Sequence, residues 1–472
     1  MFQPTYQDLH AIRSSYKLNL TLNHQFLERV QRLLGLNKRW RRIDFSRFSP
    51  MFKQIPERWR ELSGQNNWKN LLDPLDLDLR RYLIHYGERA SATYDTFNSE
   101  VKSKYAGDSR YGLKNLFSKV GLSIANPFEY TATKYFYATS SVKLPGCFLL
   151  RSLSREAWNK ESNWIGYVAV ATDKGKAALG RRDILIAWRG TIQVLEWASD
   201  FNFPLTPATK ILGGTDPDAD ADTAADAAAD DVDDIIPKVH SGFLSVYTSD
   251  DPRSEFNKSS AREQVLTEVQ RLVDQYKDEE ISITVAGHSL GAALASLNAV
   301  DIAWNGYNRS CGIQSQQPCP VTAFVYASPR VGNLKFCNIA NSIPSLRLLR
   351  TANLLDVVPK VPGAGYSDAG QELLINTQLS KYLKNPGNIS KWHSVETYLH
   401  GLAGTQGTKG GFKLEVKRDV ALVNKHQSFV RDEYLVPDEW WVMKNRGMVQ
   451  MEDGSWQLED HEMDNDSSDD ES

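Results

Sequence analysis

The eleven residues Ile281 to Gly291, ISITVAGHSLG, constrain this chain more than any other stretch. A β-branched apolar run (Ile281, Ile283, Val285) ends in Gly287-His288-Ser289-Leu290-Gly291, and Ala292-Ala293-Leu294-Ala295 follows without a polar break. That order predicts a strand, a sharp turn and a helix, with Ser289 at the apex. Glycine two places before and two places after the apex suits such a turn, because a Cβ there would meet the neighbouring strand or helix. The serine hydroxyl would then stand clear of the backbone at a helix N-terminus, the shape of a nucleophile elbow. The five-residue pattern alone is weak; its flanks decide. Upstream, Ser260-Ala261-Arg262-Glu263 reads as a capping box. Val265, Val269, Leu272, Val273 and Tyr276 line one face of the helix it opens, completing an α/β unit.

Three further strands are expected: Asp183 to Trp188, Val321 to Tyr326, and Leu346 to Leu349. Helices before and after the elbow strand make these connections crossovers, so a mostly parallel central sheet flanked by helices follows. From Trp59 to Pro145 the chain reads as helical and aromatic, a cap on one side of the sheet. A chain of 472 residues could hold two or three domains, but one α/β sheet with insertions can use most of it.

No run of 18 apolar residues occurs, so no membrane span is expected. Cys147, Cys311, Cys319 and Cys337 suit neither a disulfide framework nor a zinc site. With no apolar leader and cleavage site at the start, no secretion is expected, and sequons such as Asn308-Arg309-Ser310 would go unused. A reducing compartment, the cytoplasm, is the expectation, with the chloroplast as alternative through the arginine-rich first 50 residues.

The net charge of −3 conceals an asymmetry. Asp216 to Asp234 holds nine aspartates, and Glu459 to Ser472 eight acids, with no lysine or arginine in either. Setting aside those 17 acids leaves 41 against 55 basic groups, a body of +14. Acidic blocks of this kind are most often solvated and disordered. DPDADAD at Asp216 to Asp222 lacks the glycine and terminal glutamate of a calcium loop, so no metal is expected. The basic body would suit an anionic lipid surface, or be ordinary solvated lysines and arginines.

A serine hydroxyl becomes a nucleophile only when a base takes its proton and a carboxylate orients that base. In proteins built around such an elbow the acid and then the histidine follow the serine. His393, His400, His426 and His461 meet that order, and His461 lies in the acidic tail. His288 should point its side chain away from that of Ser289, and His240 reads as a hydrogen-bonded core histidine. For the acid, Asp356 follows a strand and precedes Val357-Val358-Pro359, with Asp368 in reserve. Asp301 lies on the helix after the elbow, three turns down, and is expected to serve only helix solvation.

These residues carry a resemblance. G-H-S-L-G at Gly287 to Gly291, Trp188-Arg189-Gly190-Thr191, Val239-His240-Ser241-Gly242-Phe243, Ala327-Ser328-Pro329-Arg330-Val331-Gly332-Asn333, Asp356 and His393 resemble the class 3 lipase family. Trp59 to Gly64, Leu71 to Asp76, Ala421 to Lys425 and Pro437 to Trp441 look like its plant phospholipase A1 class II group. The match runs from about Met51 to Gln457. It implies an α/β-hydrolase domain over 51–457 with an acidic insertion at 215–236, an N-terminal extension over 1–50 and a disordered acidic tail over 458–472. A second start at Met51 is an alternative to a transit segment.

The resemblance implies His393 as base, ahead of His400, which on one helix would face nearly the same way. It also implies an oxyanion hole from the Leu290 N–H and from Thr191, and a mobile flap at Ile192, Val194, Leu195 and Trp197. The implied reaction is release of the sn-1 fatty acid of glycerophospholipids, with galactolipids or triacylglycerols as further substrates, without cofactor or metal. The expected partner is lipid at a membrane or micelle surface, with peripheral membrane contact and no nucleic acid. The alternatives are a triacylglycerol lipase and a lipase-like signalling or scaffold protein that does not catalyse.

Overall fold

The computed structural model describes residues 54–123, 126–144, 148–158, 162–191, 204–213, 236–311, 317–407 and 410–441, with the short strands 448–450 and 456–458. The first 50 residues, the proposed flap, most of the acidic insertion and nearly all of the acidic tail lie outside the described residues.

A seven-stranded sheet forms the centre. Its strands are β1 (Tyr130–Ala138), β2 (Asn163–Ala171), β3 (Arg182–Trp188), β4 (Ile281–His288), β5 (Val321–Tyr326), β6 (Leu346–Asn353) and β7 (Gln371–Ile375). They lie side by side in chain order. The pairs β1–β2 and β2–β3 are antiparallel, and β3 to β7 run parallel. The expected strands are present, and β6 continues to Asn353. Three others were not foreseen. β1 lies inside the stretch read as a helical cap, and its half-exposed Tyr135 and Tyr137 blur the alternation that marks a strand. β2 is buried at every position and so shows no alternation at all.

Strands laid down in chain order by right-handed crossovers put the connecting helices on one face. Three helices stand there: α3 (Ala261–Gln275), α4 (Leu290–Trp304) and α5 (Leu334–Ser342). The order leaves α1 (Ile55–Leu62) and α2 (Leu77–Thr96) before them and α6 (Val395–Gly404) after them. The capping box at Ser260 and Glu263 opens α3 as expected. Val265, Val269 and Leu272 of α3 and Leu294 and Leu297 of α4 share one core with Ile184, Ile186, Ile283, Val285, Ala323 and Val325. Each valine, leucine or isoleucine among them contributes roughly 1.5–3 kcal/mol when removed from water.

The opposite face is aromatic. Tyr86 of α2 stacks on Phe324, and the Tyr326 hydroxyl donates to Leu83 O at 2.5 Å. The helix α6 packs so closely on α2 that a Cβ at Gly87 would lie 2.2 Å from Leu399 Cδ2. With both faces covered, β4 sits mid-sheet and its C-terminal end opens between flanking strands.

Buried charge fastens these layers. Asp183 accepts from the hydroxyls of Tyr86 (2.9 Å), Tyr130 (2.6 Å), Ser282 (2.6 Å) and Thr284 (2.7 Å), joining α2, β1, β3 and β4. Asp301 is fully buried rather than solvating its helix: it accepts from Tyr247 at 2.8 Å and from Arg262 Nε and Nη2 at 2.6 and 2.9 Å. The expectation failed because α4 is buried at every position from Leu290 to Ile302, Asp301 among them. Among the described residues no helix is long and apolar enough to cross a membrane.

Candidate active site

The strand β4 ends at His288 and α4 begins at Leu290, which leaves Ser289 at φ 60°, ψ −126°. A non-glycine residue there carries about 1–3 kcal/mol of backbone strain. The surroundings hold it. The Ser289 N–H donates to Tyr326 O at 3.0 Å, and a Cβ at Gly287 would lie 2.1 Å from Gly291 O. A Cβ at Gly291 would lie 2.3 Å from Trp188 O, so the helix start presses on the end of β3. Ser289 sits on the predicted elbow.

Asp356 comes from the turn after β6, and His393 ends the short helix Ile389–His393. His393 Nε2 is 2.8 Å from Ser289 Oγ, and His393 Nδ1 is 2.7 Å from Asp356 Oδ2. A carboxylate can only accept, so Nδ1 carries the proton and Nε2 is left to take one from the serine. Asp356 Oδ1 accepts from Val358 N–H at 3.0 Å, and Oδ2 also accepts from the Tyr398 hydroxyl at 2.7 Å. Burial, together with the Asp356 charge, pushes the Tyr398 phenol well above its ordinary pKa and keeps it a neutral donor. All three residues of the relay are fully buried.

The backbone of the histidine segment is held from two sides. His288 Nε2 lies 2.7 Å from His393 O and, facing a carbonyl, must be the donor; Nδ1 then accepts from Tyr94 OH, also at 2.7 Å. Burial, with the His393 ring nearby, drives the His288 pKa well down, so this ring stays neutral. Asn353 Nδ2 donates to Trp392 O at 2.9 Å, and the Asn353 N–H donates to Tyr398 OH at 3.0 Å. Sequence reasoning passed over Tyr94, Asn353 and Tyr398. None lies in a motif that names it, and only the folded contacts bring them to the relay.

The other candidates lie elsewhere. His400 does not face with His393, because extended backbone at Ser394 (ψ 131°) separates their helices. His400 instead meets Ser380 Oγ at 2.7 Å, and burial lowers its pKa to about 3. His426 pairs with Asp95 at 2.8 Å, and the reserve acid Asp368 pairs with Arg330 and Arg350. His240 is a buried ring that accepts from Phe243 N–H at 3.3 Å and stacks on Phe243, as expected of a core histidine.

Thr191 follows β3. The last register pair of β3 and β4 joins Trp188 to Gly287, and Thr191 lies three residues past it. Thr191 is buried and its hydroxyl has no hydrogen-bond partner among the described residues. Gly190 precedes it where a Cβ would lie 2.0 Å from Tyr94 OH and 2.5 Å from His288 O. No group of three or more histidine, cysteine, aspartate or glutamate residues is placed to hold a metal among the described residues.

Comparison with known proteins agrees with this geometry. Residues 185–366 match the family model for lipase (class 3). The chain is 52% identical over 415 residues to phospholipase A1-IIgamma of Arabidopsis thaliana, covering 87% of this chain and 94% of that protein. It is 53% identical over 410 residues to phospholipase A1-II 1 of Oryza sativa subsp. indica, covering 87% of this chain and 98% of that one. The chain belongs to the class 3 lipase family, in its plant phospholipase A1-II group. A solved structure, the Lip2 lipase of Yarrowia lipolytica, aligns at a TM-score of 0.39 and 19% identity over 64% of this chain and 80% of that one.

Proposed function

We propose that this member of the family is a phospholipase A1, a carboxylic ester hydrolase that frees the sn-1 fatty acid of glycerophospholipids. The observation that carries the reading is the agreement between near-full-length identity to phospholipase A1-II relatives and the unbroken hydrogen-bonded series Ser289–His393–Asp356.

In the proposed cycle His393 Nε2 removes the Ser289 proton as Oγ attacks the ester carbonyl, and Asp356 stabilises the imidazolium that results. The oxyanion that forms needs donors already aimed at it. Leu290 N–H, at the start of α4, is one; Thr191, through its N–H and hydroxyl, is the other. Two features support Thr191: its place directly after Gly190, where a Cβ would lie 2.5 Å from His288 O at the elbow, and its buried hydroxyl, which has no hydrogen-bond partner among the described residues. The imidazolium then protonates the departing lysophospholipid alkoxide. Water, deprotonated by the same ring, attacks the acyl-serine; as the acyl–Oγ bond breaks the ring returns that proton to Ser289 Oγ, and the fatty acid is released. Every proton in this cycle is moved by a side chain of the chain itself.

Because Ser289 is fully buried, an ester must uncover it before reacting. A lipid aggregate is the proposed agent. Leu354 and Val357, on the loop that carries Asp356, are each 41% exposed, apolar side chains at the catalytic end of the sheet. A membrane would bury such groups, each gaining part of the ~25 cal/mol per Å² of apolar transfer.

The direct test is turnover of a p-nitrophenyl ester by the wild type and by Ser289→Ala. The expected result is a loss of about 10⁶-fold in kcat with the fold intact. A variant that keeps even a tenth of the wild-type rate would refute the serine mechanism.

A further inference from the structure

Arg189 is a buried cation that the cycle above does not use. Its side chain is fully covered, and no carboxylate pairs with it among the described residues. Nε donates to Trp164 O at 3.1 Å, Nη1 donates to Gly190 O at 2.9 Å, and the guanidinium lies 3.8 Å from the centre of the Phe97 ring. Nη2 has no hydrogen-bond partner among the described residues. Burial lowers its pKa only to about 10, so the group is charged at neutral pH.

The carbonyl that Nη1 holds matters. Gly190 C=O and Thr191 N–H belong to one peptide group, and that group is a single resonance dipole. A cation bonded to the oxygen draws density from nitrogen and makes the N–H a stronger donor, the cooperative effect seen in hydrogen-bond chains. It also fixes the peptide plane. We infer that Arg189 is a positioning residue for acyl transfer, which aims and polarises the Thr191 N–H through its bond to Gly190 O. The inference rests on the reading of Thr191 as an oxyanion donor.

Burial without an acid partner is not itself the argument. Arg89 is also buried and holds two carbonyls, His85 O and Phe128 O, far along the chain from the relay. Arg189 differs in which peptide it grips and in lying two residues before Thr191. A carboxylate beside it would cancel much of its field; without one, the positive potential remains available where negative charge forms.

A merely structural arginine and a polarising one predict different kinetics. Arg189→Gln and Arg189→Lys are made in the full chain, and reacted sites are counted with a fluorophosphonate so that only folded protein is scored. Three quantities are read: kcat and KM for a p-nitrophenyl ester, and the affinity of an alkyl boronic acid, whose adduct on Ser289 Oγ is a tetrahedral anion. For Arg189→Gln the expected result is a kcat loss of roughly 10- to 100-fold with KM changed by less than about twofold. Boronate affinity should fall by a similar factor, because the adduct carries the same oxyanion. Arg189→Lys, which keeps the charge but loses the two-carbonyl fork, should lie between.

An unchanged kcat in Arg189→Gln, or a kcat loss with boronate affinity intact, would overturn the inference. So would equal losses through KM. Should Arg189→Gln give no reactive sites, Arg189→Lys carries the test by the same three readouts; failure of both to fold makes the role structural and overturns it too. Wild-type protein that neither turns over the ester nor binds the boronate would instead sink the hydrolase reading itself, a separate outcome.

Discussion

Around Ser289 the decisive contacts are short, buried and mutually dependent. Asp356 has three donors, and the Tyr398 hydroxyl is the one that also accepts, from Asn353 N–H. Replacing Tyr398 with phenylalanine removes a charge-assisted bond worth about 1.5–3 kcal/mol, and it leaves Asn353 N–H without its acceptor. The expected outcome is roughly a tenfold fall in kcat with little change in KM, measured on a p-nitrophenyl ester. Unaltered kcat would mean that Val358 N–H and His393 suffice to orient the acid. Ser289 and Asp356 stand out in the sequence because local pattern and chain order restrict them, whereas His393 is singled out by the family resemblance. The choice between His393 and His400 was not readable from spacing, since it depended on whether the chain stays helical through Ser394. The grip of His288 on His393 O is a contact between residues 105 apart, which no local pattern announces.

Elements that were legible are those with one wet and one dry face, or with a sharp punctuation. The α3 helix announced itself through its capping box and apolar stripe, and β4 through the glycines that end it. Fully buried elements hide. β2 is covered at all nine positions, and α4 is covered over Leu290 to Ile302, so periodicity carries no signal about either surroundings or partners. Asp301 illustrates the consequence. A charged residue on a helix reads as solvated until the helix is known to be enclosed, and then it must be paired. It braces α4 to Arg262 of α3 and to Tyr247 of the helix Ser241–Thr248. Asp301→Ala should therefore destabilise the protein by about 3 kcal/mol, because it strands the guanidinium and a buried phenol. Urea unfolding of the variant checks this, and a midpoint equal to that of the wild type would contradict it.

At the scale of the whole molecule, a strand order that follows the chain places the crossover helices on one face and frees α2 and α6 to close the other. The result is that the relay is assembled from β4, the turn after β6 and the segment before α6, all at one end of the sheet. Burial of Ser289 at that end predicts a dependence on substrate state. Turnover of a short-chain ester should rise several-fold as its concentration crosses into micelles, while a rate that follows simple saturation through that point would argue against uncovering by lipid. The central claim, that Ser289 acts on the sn-1 ester of a phospholipid, is tested most directly by mass spectrometry of the fatty acids freed from phosphatidylcholine with different chains at its two positions. The account predicts the sn-1 chain from the wild type and neither chain from Ser289→Ala. Release of the sn-2 chain alone, or undiminished release by the variant, would contradict it.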